Sequence, residues 1–291
     1  MISDKIKYLL LSILIIPFAC ERDVENVRLP EFKQKLVITS FISPSDTTSY
    51  FLVTSNRKIY GELNIGEPLG TLTGSLSNGS AEVALDPIEN GFRISRKKMP
   101  VEYGKTYRLK ISGNGGLSSE AECTVPAERN FNIRVDTFSV PRQSQGPVPF
   151  TFRSPEFNLT IKDIAGEENF YRISARVRDY YTDHNTGLLY KSIIDSDFEE
   201  EFFTDKGMDG EEIIIKTDFS IYIDHYSRDS AILEIALFNT EKSYYLYHRS
   251  LDNYSDGENP FTEVTPVYSN ISDGLGVFTS YTIDSLIYRI K

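Results

Sequence analysis

Residues 103–126 read YGKTYRLKISGNGGLSSEAECTVP, and this stretch decides the fold class. Apolar and polar residues alternate on both sides of the Gly-Asn-Gly-Gly segment at 113–116, as they do in half-buried strands joined by a turn. Glycine and asparagine supply the backbone conformations that a tight turn requires. The stretch therefore predicts an antiparallel hairpin, with Ala121, Cys123 and Val125 on the face that packs into a core. We interpret Cys123 as a small buried residue.

Short strand-like segments precede this hairpin at intervals of about 8–12 residues, which is typical of β-sandwiches. They are rich in β-branched and aromatic residues and lie at 35–42, 49–56, 81–86 and 90–95. Such composition favours a pleated, half-buried surface. We therefore predict a mainly β protein that begins with an immunoglobulin-like or transthyretin-like β-sandwich over residues 34–126.

Strand-like segments continue after Pro126 and predict a second, larger antiparallel β domain over residues 127–291. One segment differs, because its aromatic and apolar residues recur with helical spacing. These residues are Tyr244, Tyr247, Leu251 and Tyr254. We predict one helix over about residues 240–256, with Asn239 or Thr240 as its cap. Its aromatic stripe either packs on the second sheet or forms a platform for a ligand.

The charge balance excludes one class of partner. The chain of 291 residues has 31 Lys and Arg against 42 Asp and Glu, a formal net charge of −11. Binding to a phosphate backbone requires clustered positive charge, so we expect no nucleic-acid partner. An anionic membrane surface would also repel this chain unless a lipid anchored it.

An apolar run from Tyr8 to Ala19 stops at Cys20 and turns acidic. Its 12 residues are too few to span a bilayer, which takes about 20, but suit the hydrophobic region of a signal peptide. The segment resembles a bacterial lipoprotein signal, in which residues 1–19 are removed and Cys20 is acylated. The alternative is an ordinary secretory signal with an incidental cysteine. In the lipoprotein interpretation residues 20–33 form a tether, and the acyl chains on Cys20 hold the protein on a lipid bilayer.

The sequence contains no motif that points to catalysis. His184, His225 and His248 lie far apart and outside any zinc-binding spacing. A GxSxG nucleophile elbow and a phosphate-binding glycine loop are both missing from the sequence. We therefore expect a non-enzymatic protein without a cofactor.

Carboxylates concentrate in DSDFEEEFFTD and DKGMDGEE, residues 195–205 and 205–212. Hard oxygen ligands of this kind suit Ca²⁺, with Asp205 and Asp209 as the ligands. The spacing does not follow an EF-hand loop, and a solvated strand edge with a turn explains the same residues. Both interpretations stay open.

A second group of residues combines aromatic rings with polar side chains, as sites for sugars or peptides do. We predict a ligand-binding surface at Tyr180, Tyr181, Asp183 and His184. The same residues also fit a sheet core with a polar loop.

Three motifs follow the predicted helix, namely Asn259-Pro260-Phe261, Val267-Tyr268-Ser269-Asn270-Ile271 and Gly274-Leu275-Gly276-Val277-Phe278. Together with KLVITSFISPSDT at 35–47, they resemble a family of Bacteroidota outer-membrane lipoproteins of unknown function. We interpret eight residues of these motifs as fold-defining, because glycine permits a bulge or a close backbone approach and proline starts a turn. They are Asn259, Pro260, Phe261, Tyr268, Asn270, Gly274, Gly276 and Phe278.

The resemblance implies an outer-membrane lipoprotein that faces the cell exterior and is encoded beside a SusC-like TonB-dependent receptor. It brings no catalytic residues. We therefore expect an accessory or ligand-capturing partner of such a receptor barrel, which handles an unknown nutrient. The alternatives are a structural or adhesive surface protein without a transport role and, third, a hydrolase.

Overall fold

Most of the chain forms strands, because β-branched and aromatic residues alternate with polar ones along it. The computed structural model describes residues 32–57, 69–129, 131, 133–143, 151–183, 185–195, 201–218, 228–255 and 266–290. This part of the chain contains one α-helix and several mostly antiparallel sheets, which confirms the mainly β fold class. The strands are β1 (Leu36–Ile42), β2 (Thr48–Ser55), β3 (Leu72–Ser77), β4 (Glu82–Ala84), β5 (Asp86–Ile88), β6 (Gly91–Ser95), β7 (Thr106–Gly113), β8 (Ser118–Thr124), β9 (Arg134–Gln143), β10 (Thr151–Lys162), β11 (Phe170–Thr182), β12 (Leu189–Asp195), β13 (Phe202–Thr204), β14 (Glu212–Asp218), β15 (Arg228–Thr240) and β16 (Leu275–Ile290).

The N-terminal strands form a sandwich-like arrangement around one apolar core. One layer has the order β16-β1-β2-β6-β5 and the other has the order β4-β3-β7-β8. Residues alternate between buried and less buried along β1, β2, β7 and β8, as the period of a strand requires. The predicted hairpin is present as β7 and β8, and Cys123 is a free thiol with 1% exposure. The fully buried Tyr107 donates its hydroxyl to the Pro100 carbonyl oxygen at 2.8 Å.

The C-terminal strands form a second pair of layers. β12, β11, β15 and β16 lie side by side, with β13 also paired to β11, and the second layer has the order β14-β10-β9. Leu159 of β10 shares a buried apolar cluster with Val177 of β11 and Leu233 of β15. That cluster holds the two layers together, because burial of aliphatic side chains is the main favourable contribution to folding.

β16 belongs to both halves. Its first part, Leu275–Ser280, pairs in parallel with β1, and its second part, Tyr281–Ile290, pairs antiparallel with β15. One nine-stranded sheet therefore runs through both halves, and residues 34–291 form a single compact unit. The boundary at residue 126 stays a prediction, whereas the crossing of the last strand into the first sheet is a feature of the structure.

The helix α1 spans Lys242–Ser255, close to the predicted bounds. The predicted cap is wrong, because Asn239 and Thr240 are the last two residues of β15 and the helix begins only at Lys242. Instead, the Glu241 carbonyl accepts from the backbone N–H of Tyr244 at 3.0 Å. Only part of the aromatic stripe packs on the sheet, since Tyr244 is 3% exposed whereas Tyr254 is 55% exposed. No helix in the described ranges has the length and apolarity of a membrane span.

Candidate functional site

The predicted ligand-binding residues belong to the hairpin of β11 and β12. Tyr180 and Tyr181 lie near the end of β11, in register with Lys191 and Tyr190 of β12. The Asp183 carboxylate accepts hydrogen bonds of 2.7 and 3.0 Å from two backbone N–H groups of the turn that follows. His184 lies outside the described residues. The Asp183 carboxylate therefore shapes the turn, and a role of these four residues in ligand binding stays a prediction.

Asp205 and Asp209 lie together with a third carboxylate, that of Asp163. One oxygen atom of each lies within 4.8 Å of those of the other two. Asp163 follows β10, whereas Asp205 and Asp209 lie between β13 and β14, and the antiparallel pairing of β10 with β14 brings the two loops together. Asp163 was not among the predicted ligands, although the strand-like segment FNLTIKD at 157–163 ends on this carboxylate.

Each of these carboxylates accepts hydrogen bonds from the protein. The donors are the Tyr171 hydroxyl and the backbone N–H groups of Gly210, Asn169 and Gly166, at distances of 2.6 to 3.0 Å. Asp163 and Asp205 are only 5% and 4% exposed. Without these hydrogen bonds, their burial would cost free energy. Burial raises the pKa of Asp205, and the neighbouring charge of Asp163 adds to the rise. The cluster ties two loops together by itself, and its oxygen atoms also suit Ca²⁺.

The calcium prediction can be tested by thermal unfolding. Bound Ca²⁺ would stabilise the folded chain by mass action, by about 2.7 kcal/mol at 100 times the dissociation constant. We expect calcium to raise the melting temperature of the purified protein and EDTA to lower it. Asp209→Asn is the matched variant, because Asp209 is the exposed member of the cluster and its loss should abolish the shift. A melting temperature that neither calcium nor EDTA changes contradicts the prediction.

Arg172 of β11 attaches α1 to the sheet. Its Nε donates to Glu201 Oε1 at 2.6 Å and its Nη1 donates to the Tyr244 hydroxyl at 2.8 Å. The guanidinium carbon also lies 5.4 Å from the ring centroid of Phe202 and 5.3 Å from that of Phe238. A cation held between aromatic faces and a carboxylate is stabilised by each of these contacts.

His248 lies beside this arginine on α1 and is held by aromatic rings. It stacks on Phe202 and Phe41, with ring centroids 4.9 and 5.4 Å apart. Its Nε2 is buried and has no hydrogen-bond partner among the described residues. Burial lowers the pKa of His248 to about 4, and the positive charge of Arg172 contributes to this. The imidazole is therefore neutral near pH 7 and serves as an aromatic packing residue.

The C-terminal motif residues direct β16 into the N-terminal sheet. The Asn270 side chain donates to the Phe278 carbonyl oxygen at 2.7 Å and accepts from the Phe278 N–H at 3.0 Å, so it pairs with β16 as a strand would. Gly276 has a φ of +96°, and a Cβ atom there would lie 2.1 Å from the Ile38 carbonyl oxygen. Phe278 is fully buried, with its ring centroid 6.1 Å from that of Phe51.

Two further motif residues, Tyr268 and Gly274, lie in the described part of the chain. The backbone N–H of Tyr268 donates to the Ser250 hydroxyl of α1 at 2.9 Å, which connects the motif to the helix. Gly274 is buried against Ile271 and Ser119. Asn259, Pro260 and Phe261 lie outside the described residues.

A family model described as Domain of unknown function (DUF4249) matches residues 23–287. The chain belongs to this family. The match includes β1 and nearly all of β16, so the parallel pair that joins the two halves lies within the DUF4249 region. No curated protein and no solved structure matches the chain.

Proposed function

We propose that this DUF4249 protein is a non-enzymatic lipoprotein of the outer membrane that faces the cell exterior. In this proposal it is anchored by acylated Cys20 and acts as an accessory or ligand-capturing partner of a SusC-like TonB-dependent transporter. The ligand in this proposal is a nutrient. The Bacteroidota context comes from the sequence resemblance described above.

One observation carries the proposal, namely the apolar run from Tyr8 to Ala19 that ends at Cys20 and is followed by the acidic CERDVE. An acidic protein of net charge −11 gains little from the electrostatic attraction that holds basic proteins on membranes. Acyl chains supply an attachment that does not depend on charge, and two or more chains hold a protein stably.

The position of the first strand agrees with a tethered body. β1 begins at Leu36, and the chain between Cys20 and Leu36 reaches at most roughly 55 Å when fully extended. Such a reach is enough for the folded body to lie beside a membrane-embedded barrel while its anchor stays in the lipid.

Replacement of Cys20 by serine tests the lipid anchor. In cells fed a clickable palmitate, we expect label on the wild-type protein and none on Cys20→Ser, because serine offers no thiol for acylation. From solubilised outer membranes, a TonB-dependent receptor should co-purify with the wild-type protein. Cys123→Ser is the matched control and should keep the label, since Cys123 is buried in the N-terminal core.

Two results would contradict the proposal, one for the lipid anchor and one for the transporter partner. Label that survives Cys20→Ser overturns the lipid anchor. Repeated recovery of the labelled protein without a TonB-dependent receptor overturns the transporter partner and favours the structural or adhesive alternative.

A further inference from the structure

The sheet of the C-terminal half has one face in the core and one face that is only partly covered. α1 covers the end of the second face near Arg172. Beyond it, the register of the strands places further side chains on the same face. We call this surface the open face and define it by Arg176, Arg178, Ile193, Glu234, Ile283 and Ile287.

The open face exposes aliphatic side chains to an unusual degree. Ile193 of β12 is 52% exposed, and Ile283 and Ile287 of β16 are 41% and 68% exposed. A shallow concavity of about 410 Å³ opens on the same face, and its lining includes Arg176, Asp195, Glu234 and Ile287. Isolated exposed apolar residues are ordinary, but several on one sheet face mark an interaction surface.

The charge of the open face is opposite to that of the whole chain. The two oxygen atoms of Glu234 are shared between two guanidinium groups, since Arg176 donates from Nε at 2.6 Å and Arg178 forms an ion pair with the second oxygen. One carboxylate for two arginines leaves a positive excess. Lys191 and Arg289 lie on the same face by register, against one further acid, Asp195. Among the described residues, the open face thus carries four basic groups and two acidic ones, whereas the whole chain has a net charge of −11.

This chemistry selects one kind of partner. Sugars stack on aromatic rings, whereas the strongly exposed apolar residues of the open face are aliphatic and lie on its two outer strands, β12 and β16. The register places one tyrosine on this face, Tyr180, near the end of β11 and beside Lys191. Arginine beside apolar side chains is typical of protein interfaces. Two copies joined through the same face would bring positive charge against positive charge, and an anionic membrane would meet the acidic remainder of the protein.

We propose that the open face is a docking surface for a different protein, whose contacting surface carries carboxylates at its centre and apolar side chains on either side. Arg176 and Arg178 of β11 meet the carboxylates. The isoleucines of the two outer strands, Ile193 of β12 and Ile283 and Ile287 of β16, pack on the flanking apolar side chains. The inference deepens the proposed function and rests on it only for where the partner is found, at the cell surface.

The test is site-specific photo-crosslinking of the full-length lipoprotein in its own cells. A benzophenone amino acid replaces Ile287 in one variant and Ile214 in the control. Ile214 of β14 is a similarly exposed isoleucine, at 59%, on the other layer of the C-terminal half. We expect a discrete protein adduct from position 287 that position 214 does not form, and an acidic cross-linked peptide on mass spectrometry.

Charge reversal gives the second measurement. In the position-287 background, Arg176→Glu with Arg178→Glu should reduce the adduct about tenfold or more, because like charges would then face each other. Arg134→Glu is the control, because Arg134 also forms an ion pair with a glutamate but lies on the other layer. The variants are compared only where their melting temperatures match that of the wild type; if the double reversal does not fold, Arg176→Gln replaces it.

The outcomes separate this inference from the proposed function. An adduct with an acidic protein other than a TonB-dependent receptor supports the docking face and overturns the transporter partner. If only position 214 forms an adduct with a TonB-dependent receptor, the proposed transporter partner is supported and the docking face is overturned. The docking face is also overturned if position 287 forms no adduct, or if its adduct is with lipid or with a second copy of this chain. An adduct that charge reversal does not weaken overturns it as well.

Discussion

Gly276→Ala is expected to destabilise the folded protein by at least about 3 kcal/mol, or to prevent folding. Gly276 has a φ of +96°, which L side chains rarely adopt. In addition, a Cβ atom at this position would lie 2.1 Å from the carbonyl oxygen of Ile38, well inside van der Waals contact. Relief of that overlap requires β16 to move away from β1, and this movement would break the parallel pairing that connects the two halves.

Gly104→Ala is the matched control. Gly104 also has a positive φ, +68°, but no atom lies within 4 Å of a Cβ atom placed there. We therefore expect only the backbone strain, about 1 kcal/mol. Urea unfolding followed by circular dichroism measures both variants. Equal losses for the two would show that the close approach to Ile38 carries no cost of its own.

Arg172→Met is expected to cost about 3 kcal/mol and to loosen α1 from the sheet. Methionine keeps most of the length of the side chain but leaves Glu201 and the Tyr244 hydroxyl without the guanidinium that they contact. It also removes the cation from the rings of Phe202 and Phe238. Arg172→Met should therefore speed up hydrogen exchange more in the helix Lys242–Ser255 than in the described strands. It should also lower the free energy of unfolding of the protein.

Arg108→Met serves as the comparison. Arg108 forms an ion pair with Glu122 at 2.9 Å on the hairpin, where the two side chains are 65% and 53% exposed. Exposed ion pairs contribute about 0–1 kcal/mol, so this substitution should be close to neutral. If Arg172→Met were as mild as Arg108→Met, the contacts of Arg172 would not be what attaches the helix.

Local patterns predicted the elements well. The alternation around residues 113–116 predicted β7 and β8, and the helical spacing of the tyrosines predicted α1, because both signals lie within a few consecutive residues. The cap of α1 was wrong for a tertiary reason. Asn239 and Thr240 still pair with β11 as the last residues of β15, so the helix can begin only after them, at Lys242.

The candidate sites were harder to predict than the elements. Asp205 and Asp209 stand out in an acidic stretch, but Asp163 lies some 40 residues earlier and joins them only through the pairing of β10 with β14. The open face has no sequence signal at all. Arg176 and Glu234 are ordinary outward residues of two alternating strands until their register places them side by side.

The sequence by itself determined the mainly β fold class, the β7–β8 hairpin, the helix and the apolar run that ends at Cys20, because each depends on the period or composition of neighbouring residues. It also marked Gly276 as special, without showing what approaches it. It did not predict β3, and it predicted one strand at 81–86 where the structure has β4 and β5. Only the tertiary structure decided that β16 pairs with β1, more than 230 residues earlier, and so joins the two halves in one sheet. Backbone hydrogen bonds do not identify the partner strand, because all residues except proline offer the same groups. The partner is decided by the burial of side chains that distant segments share.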